Sequence, residues 1–98
     1  MVQAVENLTQ ISGRIIALRP HPILDGYDVA TVKLERADAV PGKADLLGSL
    51  VGNDVDVTIR RALLASASPG AQLRCRAKRT PDGAMCEPHP DSGDFEVG

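Results

Sequence analysis

Aromatic side chains are almost absent from this 98-residue chain, which has Tyr27, Phe95 and no Trp. Its core has to be built from Val, Ile, Leu and Ala, which pack well in strands but each bury less area than an aromatic ring. Cysteine is scarce as well. Cys75 and Cys86 are too few for a disulfide framework, which points to reduced thiols and a cytoplasmic protein, although a Cys75–Cys86 bridge stays open. No apolar run approaches the length of a membrane span. The start, Met1-Val2-Gln3-Ala4-Val5-Glu6, lacks a basic region followed by an apolar stretch, so neither a membrane segment nor a signal peptide is expected. Gly48 and Gly52 lack the lysine and spacing of a phosphate loop. Cys86 near His89 is the only nucleophile-and-base pairing and has no third member, so no enzyme is expected. The same C-x-x-H pair, with Cys75 and His21, is too sparse for zinc, and neither metal nor cofactor is expected.

What the chain does have is alternation. From Asn53 to Arg61, Val55, Val57 and Ile59 share one parity, with Asp54, Asp56, Thr58 and Arg60 on the other. Successive side chains of a strand point to opposite faces of the sheet, so this is a half-buried strand, running to about Arg61 and open to extension through Leu63. Leu8–Leu18 reads as an earlier strand with Ile11 and Ile15 inward and a bend or bulge at Gly13. Ile16 and Leu18 on its other face suggest that its far end is covered on both sides. Asp25-Gly26 then turns the chain into a strand from Tyr27 to Arg36 with Ala30, Val32 and Leu34 inward. Leu46, Leu47, Leu50 and Val51 change the period and predict a two-turn helix over 43–51. Gln72–Arg79 alternates again, with Leu73, Cys75 and Ala77 inward and Arg74, Arg76 and Lys78 outward. Thr80-Pro81-Asp82-Gly83 turns it into Ala84–Glu87, and Phe95 and Val97 add a short last strand.

These elements predict one domain over 1–98, with 1–7 and 88–98 partly irregular. The fold class is all-β: a five- to six-stranded antiparallel barrel with one short helix. The element order, from a glycine-bent first strand through two long hairpins, resembles the OB-fold over about Leu8–Val97. One departure is that the OB-fold usually carries its helix between the third and fourth strands, whereas the best helical stretch here precedes the third. Gln10-Ile11-Ser12-Gly13-Arg14-Ile15-Ile16-Ala17-Leu18 is also similar to the first strand of the oxyanion-binding modules attached to transport ATPases, without the rest of that pattern.

Charge is segregated. Between Val57 and Pro81 lie Arg60, Arg61, Arg74, Arg76, Lys78 and Arg79 and no acid; from Asp82 onward there are five acids and no Lys or Arg. Arg74, Arg76 and Lys78 repeat every ~7 Å along one strand face, close to the phosphate spacing of an extended nucleic acid. OB-like barrels usually add stacking aromatics, and only Tyr27 can serve. The leading expectation is therefore a non-catalytic module binding single-stranded nucleic acid through Tyr27, Arg60, Arg61, Arg74, Arg76, Lys78 and Arg79. Against it stands a solvated face balanced by Asp54, Asp56 or the acidic C-terminus. The alternative is a protein-interaction module, possible as a homo-oligomer, using strand edges or Ile23, Leu24, Leu63 and Leu64. A small-oxyanion binder comes third.

Overall fold

The computed structural model describes residues 6–98; of the irregular start expected at 1–7, residues 1–5 lie outside the described residues. Six strands form: β1 (Thr9–Pro20), β2 (Tyr27–Ala39), β3 (Asp54–Arg60), β4 (Gln72–Thr80), β5 (Gly83–Cys86) and β6 (Phe95–Val97). They are ordered β1-β2-β3-β5-β4-β6, and β1 also pairs β4, which closes the first five into an OB-like barrel.

The alternation fills the barrel as expected. Ile11, Ile15, Ala30, Val32, Leu34, Val55, Val57, Ile59, Leu73, Cys75 and Ala77 are all buried in one cluster. A Val or Ile removed from water in this way stabilises the fold by ~1.5–3 kcal/mol, so the aliphatic β core suffices without rings. Phe95 and Val97 of β6 pack against the same cluster while half-buried.

Gly13 sits where β1 slips register against β2, between Ser12 and Gly13. A Cβ there would collide with the Lys33 carbonyl, so only glycine lets the two backbones come this close. A second slip, between Ile15 and Ala17, leaves Ile16 unpaired. Ile16 is 45% exposed, so the far end of β1 is not covered on both sides.

Four further expectations are corrected. The barrel is mixed, because β3 and β5 run parallel, with Val57 opposite Ala84 and Thr58 opposite Met85. Gly83, at φ +150, makes this possible, since a Cβ would meet the Asp56 carbonyl. The helix over 43–51 shrinks to a 3-10 turn, Gly48–Leu50. Asp45 Oδ1 accepts from Thr9 Oγ1 (2.8 Å) and from the Leu47 and Gly48 N–H groups (3.1 and 2.8 Å). Gly52 N–H then donates to Leu34 O (2.8 Å), so the segment is tied to β1 through Asp45 at one end and to β2 at the other, and the Asp45 bonds hold it as a tight turn. β3 ends at Arg60, and Arg61–Leu64 forms a single α-turn (α1) instead of extending it. That turn lies between β3 and β4, where the OB-fold carries its helix. Leu64 is buried and Leu63 packs on the core, so neither is a free contact residue. The cysteines agree with the reading of reduced thiols: both are free, and both are buried.

β5 and β6 lie along one edge of β4. Cys86 lies opposite Ala77 and Phe95 opposite Cys75, so nine steps of chain match two of β4 and an eight-residue excursion, 87–94, separates the two strands.

Candidate binding surfaces

The basic face of β4 forms as the alternation requires, and the excursion brings the acidic end of the chain onto it. Glu96 lies opposite Arg74, and its Oε2 accepts from Arg74 Nη2 at 3.1 Å. Asp94 Oδ1 stands 3.6 Å from Arg76 Nε, an atom that is buried and has no hydrogen-bond partner among the described residues. Lys78 forms no ion pair among the described residues. The tail therefore neutralises two of the three outward cations of this strand.

The other basic residues do not join them on one surface. β5 lies between β3 and β4, which puts Arg60 two strands, about 10 Å, from β4. Its Nε donates to Pro88 O at 2.8 Å. Arg61 is tied to Asp28 Oδ1 (2.8 Å) beside the first hairpin. Arg79 has the parity of the core residues and donates to Leu46 O (3.2 Å) at the end of the barrel. Tyr27 is half-buried opposite Arg60, at the opposite end of β2 from Asp38, the residue level with Arg76 across Gln10 of β1.

Beside Arg76 and Lys78 lies a cavity of about 560 Å³, with Leu8, Val40 and Met85 among its apolar lining residues and Glu6, Lys43 and Glu87 among its charged ones. Lys43 is bonded to Glu6, and this bond, with Lys78 adding a weaker attraction, holds the Glu6 carboxyl below the usual carboxylate range. The cavity is thus close to electrically balanced.

OB-type barrels hold oligonucleotides on strands 2 and 3 between the loops 1–2 and 4–5. That face carries charges of both signs here. Asp54, Asp56 and Asp82 line two depressions of about 330 and 230 Å³ together with Arg19 and Arg79. Asp56 is held below the ordinary carboxylate range by a 2.7 Å hydrogen bond from Thr31 Oγ1 and by Arg19, whose Nη2 stands 3.1 Å away.

The two cysteines sit in the core. The neighbouring Cys86 thiol and burial push the Cys75 thiol well above the usual value. Cys86 Sγ donates toward Glu87 O (3.5 Å). No group of three or more His, Cys, Asp or Glu is placed to hold a metal among the described residues. No helix among them is long and apolar enough to cross a membrane.

The third surface is a strand edge that alternation does not reveal. β1 and β2 pair from Thr9–Ala39 to Pro20–Asp28, but β4 covers β1 only as far as Arg14. Gly70 and Ala71 then bond both backbone groups of Ile15. From Ile16 to Pro20 the outer edge of β1 has no backbone partner among the described residues. Ala17 and Arg19 along it are exposed. At the hairpin tip Ile23 and Leu24 are 85% and 40% exposed. The tip is ordered by His21 Nδ1, which accepts from the Ile23 and Leu24 N–H groups at 3.1 and 2.9 Å. Arg14 and Arg19 were not singled out from the sequence, and Ile16 was expected to be covered, because the slip between Ile15 and Ala17 has no signature there.

Compared with family models, with curated proteins and with solved structures, the chain matches none of them.

Proposed function

We infer that the protein is a non-catalytic interaction module that takes an extended segment of a partner protein onto the outer edge of β1. The observation that carries this reading is the run Ile16–Pro20, which offers unpaired backbone groups beside exposed apolar side chains. An added strand satisfies such groups with main-chain hydrogen bonds and draws specificity from alternate side chains. Ile23 and Leu24, held out on a fixed tip, extend the apolar contact.

A second reading is single-stranded nucleic acid across β4, supported by the common outward face of Arg74, Arg76 and Lys78. It requires Glu96 and Asp94 to give way, and it lacks a stacking ring on that face.

Two measurements separate the readings. Quantitative affinity capture compares the wild type with Ile16→Lys and with Arg74→Ala/Arg76→Ala/Lys78→Ala. A specific protein partner lost only with Ile16→Lys is the expected result. Fluorescence anisotropy of labelled single-stranded DNA and RNA supplies the contrary outcome. Salt-sensitive micromolar binding that disappears in the triple variant replaces the edge reading with the nucleic-acid one.

A further inference from the structure

The charges around the open edge select a partner. β1 (Thr9–Pro20) contains Arg14 and Arg19 and no acidic residue. Arg14 lies directly opposite Lys33 of β2, a like-charge pair of the kind that destabilises neighbouring strands. Neither side chain is within ion-pair distance of a carboxylate among the described residues. Asp54 lies opposite Lys33 on β3 without pairing it, and Glu35 accepts instead from Gln72 Nε2 at 3.0 Å. Arg19 is bonded to Asp56 and Thr31, but its side chain remains half exposed. In sequence these two arginines bracket Ile16 and Ala17.

We propose that the segment docking on this edge is an extended peptide with an acidic residue on each side of a short apolar stretch, the acids meeting Arg14, with Lys33 behind it, and Arg19. This rests on the reading of β1 as the docking edge. A second copy of the chain fits poorly, because antiparallel pairing of two β1 edges brings four arginines together, and β1 offers no acid while Asp56 is already taken up by Arg19 of its own chain. A nucleic acid would meet the same cations but would leave the strand's N–H and C=O groups and Ile16 without counterparts.

The test uses the ¹⁵N-labelled full chain and three probes. Two are blocked synthetic peptides sharing one Val-Thr-Val-Ile-Val centre, flanked by Glu in one and by Lys in the other. The third is oligo(dT). The Glu-flanked peptide is expected to move the Ile16–Arg19 amide signals saturably and to bind at least tenfold tighter than the Lys-flanked one. Arg14→Glu is expected to erase that preference. Equal affinity for the two peptides overturns the acidic selection and leaves the docking edge standing. Absence of shifts at Ile16–Arg19 with either peptide removes both. Tighter binding of oligo(dT) to the same amides replaces a peptide with a nucleic acid.

Discussion

The two strands of the first hairpin each run past the strand that covers them, and the two overhangs are finished differently. β2 is paired by β3 only to Lys33, and its edge beyond the Leu34 bonds, bare among the described residues, reads Glu35, Arg36, Ala37, Asp38, Ala39. Arg36 and Asp38 are further tied to each other at 2.9 Å. Charged side chains on an exposed edge are how natural sheets prevent edge-to-edge association. The β1 overhang, Ile16 to Pro20, has only Arg19 as a charge, and that is partly held by Asp56. One hairpin thus carries an edge guarded by several charges and another interrupted only by the bulge at Ile16 and by Pro20, and the second is the one with Ile23 and Leu24 at its end.

The largest expected effect comes from breaking the frame that both overhangs share. Gly13→Ala places a methyl against the Lys33 carbonyl and should lower stability by about 2–4 kcal/mol in urea unfolding. An unchanged midpoint would show that the bulge relaxes freely. Next, Glu35→Val with Asp38→Val removes the guard from β2. The apparent mass in size-exclusion chromatography with light scattering should then rise with concentration, whereas the wild type under the same conditions should not change. If the variant behaves like the wild type, charge is not what protects that edge.

Acid should act on the β1 side. Because Asp56 has a lowered folded-state value, its contribution is present above the unfolded carboxylate range, near pH 4, and is lost as pH falls through the folded value. Both partners are about half exposed, so the effect is under about 1 kcal/mol. Thermal melts from pH 6 to pH 2 should show a shallower acid slope for Asp56→Asn than for the wild type; parallel slopes would remove the Asp56 link from the account. The smallest effect is expected at Ile16→Lys, within about 0.5 kcal/mol of wild-type stability, because an exposed side chain in a bulge holds little of the core. A loss beyond 2 kcal/mol would make Ile16 a structural residue and remove the contrast between the edges.

Much of the barrel was legible from alternation alone. The inward residues of β2, β3 and β4, the bend at Gly13 and the turns at Asp25-Gly26 and Pro81–Gly83 all appear where the pattern puts them. The helix over 43–51 misled because its leucines satisfy a helical period while Asp45 and the strands on either side impose a tight turn. The basic face of β4 was legible too. Its neutralisation was not, since it depends on an eight-residue excursion that no local pattern reports.

By itself the sequence determined which side of each strand is wet, because side-chain parity is a local property of an extended backbone. The tertiary structure alone decided which outward charges meet partners and which edges stay bare. Both depend on how far each strand overlaps its neighbour, and overlap is fixed by bulges, by the parallel β3–β5 pair and by closure of the whole barrel.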